Sequence, residues 1–499
     1  MAKIVKVTDG DYKVIVRNGA TGTITLDTTA GASTIQGTTV INGNLEVKGT
    51  TTTVESTVTT IADSKKDNRD FIDLLNIYSS FVIYDSILKP FQTGEIIIND
   101  SNDLIPNYPI LGGNLVHIRY NTPDGPKDTE VDLYFRVVKI KNIIINERKQ
   151  SFTLQLVSEA GWQNMYTSLS TAFTGSPNDI VNQVYANYLH NKDANKKMNT
   201  EFAAGSLKIV APRWKPSQVI KWVQDKSLDG DKDNSGFFFY ETNRGFNFLS
   251  LSTLMNKEKN LIITDVMGEI TSDRKDGKTP KGYLFKIPGV PVYGSDGKPQ
   301  SGMVGSETTQ NVDDFRIDQR QRIGEDVIDG YLANKHITHD IFHKSYSTQT
   351  FNYFDDFDKY QRLAKEPHYY NSGSPIDSNI KVNFSPRQTK IHSNVKNQPG
   401  SRTLYADDYA LSRRQSMKQM NDAVIANFEA PGHPIIEAGH LLEFNYPAIR
   451  KVEDATDVYE KKYSGLYLIR DVIHMFRPVA NTTTTYKVDM NIVKDGHNA

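Results

Sequence analysis

Between Tyr12 and Phe71 the chain contains no aromatic residue, and residues 21–60 hold 15 threonines. That one stretch limits what this part of the chain can become. Thr and Val favour extended backbone. Gly37, Gly43 and Gly49, with Asn-Gly and Gly-Asn steps, break the run GTTVINGNLEVKGTTTTVESTVTTI (37–61) into short pieces. A segment with so few large side chains cannot bury a core of its own. Two readings follow: a disordered linker, or an arm ordered by pairing with another chain. The aromatic residues lie downstream, where 22 Phe and all but one of 25 Tyr can fill several cores.

Composition excludes several function classes. The 499 residues include no cysteine, so disulfides, thiolate metal sites, iron–sulfur clusters and Cys nucleophiles are ruled out. Lys and Arg number 58 against 59 Asp and Glu, a formal charge of −1. This balance fits neither a basic nucleic-acid coat nor an acidic disordered tail. The start, MAKIVKVTDGDYKVIV, has no apolar core or cleavage site of a signal peptide, so the chain is expected to stay in the cytosol where it is made. Apolar runs such as Ile96–Ile98 are too short to span a bilayer.

The body reads as two β-rich blocks around a helical one. In the first, FVIYDSILKPFQTGEIIIND (81–100) predicts two strands joined through Pro90 and Gly94. Segments 112–120, 131–146 and 151–159 add strands, enough for a small antiparallel barrel. After Gly161 the period changes. Ser176-Pro177-Asn178 opens a helix, with Ile180, Val181, Val184, Tyr185, Tyr188 and Leu189 at helical spacing. A second helix is predicted over 214–228. The second block opens with SGFFFYETNRGFNFLSLSTL (235–254), a hairpin turning at 242–245. A Gly/Pro/Lys-rich excursion follows from Lys275 to Asn311, then strands over 336–354 and a helix over 404–422. Residues 423–447 read strand, Pro/Gly turn, strand, and 464–493 a long terminal hairpin.

Candidate chemistry is sparse. His336, His339 and His343 could suggest a metal site, but the surrounding Thr, Ile, Phe and Tyr favour a strand, on which His336 faces away from the other two. Adjacent carboxylates at Asp313-Asp314, Asp355-Asp356 and Asp407-Asp408 lack by themselves the separation that glycoside hydrolysis needs. The chain has no phosphate loop, GxSxG elbow or HExxH motif. Basic stretches at 191–199 and 273–281 lack the interleaved aromatics of a nucleic-acid platform. No catalytic, cofactor-binding or metal-ligating residue is assigned, and no cofactor is expected.

Several segments, in their common order, resemble the baseplate hub protein of contractile-tailed bacteriophages, related to the N-terminal part of type VI secretion spike proteins. They are FVIYDSILKPFQTGEIIINDSNDL (81–104), RWKPSQVIKWVQDKSL (213–228), GFFFYETNRGFNFLSLSTL (236–254), VIANFEAPGHPIIEAGHLLEFNY (424–446) and LYLIRDVIHMFRPVANTTTTYKVDMNIV (466–493). In the fourth, Gly439 would fix a turn. The resemblance spans roughly residues 70–495. The run INGNLEVKGTTTTVEST is similar to a short repeat of phage tail and fibre proteins.

The fold class expected is mainly β with an α+β middle: two tail-tube-like antiparallel β-barrel domains, a helical or mixed domain and an extended N-terminal arm. The boundaries expected are an arm at 1–65, a first barrel at 66–160, a helical domain at 161–234, the second barrel at 235–274 and 423–499, and an insertion at 275–422. The resemblance implies a non-enzymatic virion protein, assembled in the host cytoplasm. It would form a homotrimeric, pseudo-sixfold ring joining the sixfold tail tube, or a tube initiator, to the threefold spike, and line the channel for genomic DNA without specific binding. Other baseplate proteins would meet it through the arm. Alternatives are a receptor-binding tail-fibre or tail-tip protein and a tail-associated glycan hydrolase using carboxylates of the 313–358 region.

Overall fold

The first sheet block is built by strict inward–outward alternation. In this computed structural model the described residues are 58–62, most of 71–263, 314–319, 333–340, 345–363, 383–389, 424–444, 463–479 and 483–495. The first strands are β1 (Val58–Ala62), β2 (Phe71–Asp73), β3 (Tyr78–Ser86) and β4 (Thr93–Asp100). After a single turn of helix, α1 (Leu104–Asn107), come β5 (Leu115–Tyr120), β6 (Val131–Asn146) and β7 (Lys149–Ser158). They pair antiparallel in the order β3–β4–β7–β6–β5–β1–β2. Phe81 and Ile83, Ile96 and Ile98, Val116 and Ile118, Leu133 and Phe135, and Phe152 and Leu154 point to one face and form one core. Residues 58–62, the end of the Thr-rich segment, pair with β5; residues 1–57 lie outside the described residues.

The expected strands of this block form, with one difference. Gly94 lies inside β4 and not in the turn. A Cβ there would stand 2.9 Å from the Val82 carbonyl oxygen, so its lack of a side chain lets β3 and β4 approach.

The middle of the chain folds as a helical layer. Helix α2 (Glu159–Tyr166) follows β7 directly, capped by Ser158, whose Oγ accepts from the Gly161 amide at 3.3 Å. Sequence periodicity missed it, because the residues it buries are Glu159, Ala160, Gly161 and Asn164 and not an apolar stripe. Strand β8 (Ala172–Gly175) precedes α3 (Pro177–Val184), which starts where expected, with Ser176 as cap and Pro177 at the first position. It continues as a π turn over Tyr185–Leu189. Short strands β9 (Lys197–Thr200), β10 (Ala203–Ala204) and β11 (Leu207–Val210) lead to α4 (Pro216–Gln224). There Gln218 accepts from the Lys215 amide at 2.8 Å. Strand β12 (Leu228–Asp229) pairs with β10.

The aromatic hairpin β13 (Phe237–Glu241) and β14 (Gly245–Ser250) is buried on both faces. Phe237 and Phe239 enter the helical core with Val181, Val184 and Ile220, whereas Phe238 and Tyr240 enter the core of the second block. An unbroken run of large apolar residues is what a two-sided strand demands. Its turn closes as expected, with the Thr242 amide donating to the Gly245 carbonyl at 2.8 Å. The helical turn α5 (Leu251–Leu254) follows.

The second block comprises β15 (Ile262–Ile263), β16 (Asp314–Gln319), β20 (Val424–Pro431), β21 (Leu441–Phe444), β22 (Gly465–Val479) and β23 (Thr483–Lys494). Between them, β17 (Ala333–Asp340), β18 (Ser345–Asn352) and β19 (Asn383–Thr389) make a separate three-stranded sheet. The expected helix at 404–422 lies outside the described residues. Strand β22 joins the blocks. Along one edge its Gly465–Leu468 half pairs with β21, and its Asp471–Phe476 half pairs with β3. Its other edge pairs with β23 from Leu468 to Val479. The fold is thus mainly β and largely antiparallel, as expected, with strands of both blocks in one 13-stranded sheet. Among the described residues these pairings form an open path, not a closed barrel.

Gly439 fixes a turn as the resemblance implied. Its φ is +95°, its amide donates to the Ile469 carbonyl at 2.8 Å, and a Cβ would lie 2.2 Å from the Tyr240 hydroxyl. Gly439→Ala should therefore cost about 2–4 kcal/mol, combining positive-φ strain with overpacking. Denaturant unfolding checks this; a loss within experimental error would remove the close-packing argument.

Candidate functional site

The three cores meet at a buried polar junction, and the hairpin turns deliver it. The end of β3 brings Asp85 and the β3–β4 connection Gln92, the end of β13 brings Glu241 and its turn Asn243 and Arg244, and strands β22 and β23 bring His474 and Tyr486. The Gln92 amide nitrogen donates to Asp85 Oδ1 at 2.6 Å and to Asn243 Oδ1 at 2.9 Å. Glu241 accepts from the Gln92 backbone at 3.0 Å, from Ser158 Oγ at 2.5 Å and from Lys196 Nζ at 2.7 Å. Asn243 donates to the Tyr120 hydroxyl at 2.9 Å. His474 Nδ1 lies 2.8 Å from the Tyr486 hydroxyl, and its Nε2 lies 3.6 Å from Asp85 Oδ2.

The electrostatics follow from burial. Glu437, 2% exposed, faces Arg244 with Nε to Oε1 at 3.8 Å. Burial pushes its carboxyl up to about 7, against the pull of Arg244, and the Asp85 charge adds to the rise. Burial raises the Tyr120 and Tyr486 hydroxyls well above the usual phenol range. Burial, then Arg244, lowers His433 to about 4. Its Nδ1 accepts from the Ile435 amide at 3.2 Å, the bond of a neutral ring.

This arrangement ties three hairpins together through buried polar groups. Asp85, Gln92, Glu241 and His474 are at most 3% exposed, and general acid–base chemistry needs a reacting group within hydrogen-bond reach. A cleft of about 650 Å³ lies beside Glu437, Glu201 and Arg244. Glu201 there already accepts from the Ser250 amide and hydroxyl at 2.8 and 3.0 Å.

The sequence candidates do not converge. His336 and His339 lie on strand β17, in the strand setting expected, and His343 lies outside the described residues. Asp355 and Asp356 serve a turn: Asp356 Oδ2 accepts from the Asn352 amide at 2.9 Å and Asp355 from its side chain at 2.7 Å. Asp314 begins β16, while Asp313, Asp407 and Asp408 lie outside the described residues. Among the described residues no group of three His, Asp or Glu could hold a metal ion, and no helix is long and apolar enough to cross a membrane. Sequence reading missed the polar junction. Its one signal was Asp85 and His474 in otherwise apolar strand patterns.

No known family profile and no curated protein matches the sequence. Solved structures do match. The 43 kDa tail protein of prophage MuSo2 from Shewanella oneidensis is similar at 9% identity and TM-score 0.43, over 89% of this chain and 100% of that one. A tail protein from Neisseria meningitidis is similar at 9% identity and TM-score 0.41, over 88% and 97%. An E. coli type VI secretion component, described as similar to the T4 tail proteins gp27 and gp5, gives 9% identity and TM-score 0.37, over 85% and 76%. The first two are tail proteins and the third is a type VI secretion component.

The Glu437 environment makes stability depend on pH. A carboxyl raised from about 4.5 unfolded to about 7 folded contributes stability that is full below 4.5 and lost as pH rises through 7. The lowered His433 acts oppositely between 4 and 6.5. Glu437→Gln, which leaves His433 in place, should gain up to about 3 kcal/mol at pH 8 and little at pH 5. Thermal melting of both chains at the two pH values checks this. An equal effect at both would show that Glu437 does not titrate in this range.

Proposed function

We propose that this chain is a central baseplate hub of a contractile bacteriophage tail. Three copies form a pseudo-sixfold ring that joins the sixfold tube, or its initiator, to the threefold spike and lines the DNA channel. The observation that carries this reading is strand β22, which fuses two β blocks of one chain into one sheet. Each copy then brings two blocks in fixed register, and three copies bring six. The ordered sequence resemblance over residues 70–495 supports the same reading.

Charge on the sheet surface fits a channel that lets DNA pass. Lys141 pairs with Glu95 at 2.7 Å and Lys487 with Glu429 at 2.6 Å, so these cations are already neutralised. An excess of free Lys and Arg would hold phosphate by counterion release. The hub acts as a structural part, not an enzyme. The turn-capping roles of Asp355 and Asp356 weigh against the glycan-hydrolase alternative. The tail-fibre alternative would need the Thr-rich repeat to continue, and it stops near residue 62.

The Thr-rich arm pairs with a neighbouring baseplate chain or with its own copies around the threefold axis. Because residues 58–62 belong to the first sheet, the arm that can be removed ends at residue 57. A chain lacking residues 1–57 should still form trimers by native mass measurement, yet fail to enter baseplates. Normal assembly would refute the arm's role. Electron microscopy of a tail carrying the full chain should place three copies at the tube–spike junction. A peripheral position, or a copy number other than three, would overturn the hub reading.

A further inference from the structure

The cleft of about 650 Å³ beside Glu437 holds two opposite charges that do not satisfy each other. Glu437 is buried, and among the described residues its Oε1 has no hydrogen-bond partner. Arg244 Nε, at 3.8 Å from that oxygen, is beyond hydrogen-bond range. The half-exposed Arg244 guanidinium donates to no other described residue. A buried carboxylate oxygen without a donor is costly. A guanidinium is a forked donor shaped for a carboxylate. The cleft thus sets an acceptor that lacks a donor beside a donor that lacks an acceptor.

The fold fixes both groups. Glu437 lies in the β20–β21 connection, two residues before Gly439, whose amide is tied to the Ile469 carbonyl at 2.8 Å. Arg244 lies in the β13–β14 turn, closed by the bond from Thr242 to Gly245. Apolar side chains complete the lining, among them Phe202, Phe246, Leu249 and Leu254. Phe202 is 67% exposed, and its ring stands over Gly230, where a Cβ would lie 3.0 Å from the ring. An apolar and aromatic lining with a few placed polar groups is the make-up of a small-molecule site.

We propose that this cleft binds an α-amino acid zwitterion with an apolar side chain. The ligand's ammonium donates to Glu437 Oε1, its carboxylate accepts from Arg244, and its side chain lies along Phe202 and Leu249. A simple amine would leave Arg244 unmet and face its charge. A simple acid would bring a second negative charge to Glu437. The site is independent of the hub reading.

Binding requires ionised Glu437. Around that carboxyl stand Thr242 and Arg244 of the turn, Tyr240 of β13, Asp85 of β3, Lys196 before β9, Tyr120 of β5 and Tyr486 of β23. His433 and His440 share its connection, and Lys197, Glu201 and Asp229 also line the cleft. With the carboxyl at about 7, its ionised fraction rises about tenfold from pH 6 to pH 8, and the affinity rises by the same factor.

Isothermal titration calorimetry of the full chain with L-leucine tests this. Binding is expected at pH 8 and about tenfold weaker at pH 6. Isoamylamine and isocaproic acid are leucine without its carboxylate and without its ammonium. Each should bind about tenfold or more weakly than leucine. Arg244→Gln and Glu437→Gln should each weaken leucine binding about tenfold or more at pH 8, and Glu437→Gln should abolish the pH dependence. Circular dichroism should show both variants folded. Leucine binding that is absent at millimolar concentration, equal at both pH values or unchanged in the folded variants overturns the proposal. Equal binding of leucine and either half-molecule overturns it too.

Discussion

Strand β22 is the constraint on which the rest of this fold depends. It is 15 residues long, and its two halves serve different cores. Leu468, Ile469 and Val472 enter the second block's core, while Phe476 stacks on Phe81 at 5.4 Å in the first. Near Arg470 a register irregularity against β23 marks the change. A bulge adds local twist, and here the neighbour on the opposite edge changes from β21 to β3 at the same place. The first β hairpin and the last one, nearly 400 residues apart in sequence, are consequently direct neighbours. Such long-range pairing carries a larger loop-closure cost than a local hairpin and slows folding.

The buried polar junction stands where that joint could slip. A two-residue slip keeps the apolar face inward, so apolar alternation alone does not exclude it. Asp85, Gln92, Glu241 and Asn243 are linked by hydrogen bonds between two hairpins, and Ser86 Oγ donates to Asp471 Oδ1 at 2.5 Å across the β3–β22 joint; these bonds form together only in one register. A slipped register would break these bonds and leave further buried polar atoms unpaired, which is costly. The raised carboxyl of Glu437 shows the same desolvation acting on a group whose counter-charge, Arg244, is half exposed.

Much of this was legible in the sequence where periodicity is local. The aromatic hairpin at 237–250, the strands at 131–146 and the terminal hairpin at 465–494 announce themselves by composition and turn residues. Ser176-Pro177 marks the start of α3. What stayed hidden was pairing at a distance. Nothing local in Phe81–Ser86 names Asp471–Phe476 as its partner, so two separate barrels were the natural expectation where strands of both blocks share one 13-stranded sheet. The helix α2 was hidden because Gly161 lies inside it: Phe91 and Val157 pack against a position where a Cβ would collide. The polar junction was hidden for a related reason. Its residues are unremarkable one at a time and become a cluster only through long-range topology.

A chain of this construction suits a part that must stay rigid while neighbours move around it. One shared strand couples both blocks, so neither should open alone. Hydrogen exchange under increasing denaturant tests that coupling most directly. The account predicts that core amides of β4 and β7 in the first block and of β20 and β21 in the second exchange with one common opening free energy. Two well-separated free energies, with one block opening while the other stays protected, would contradict it.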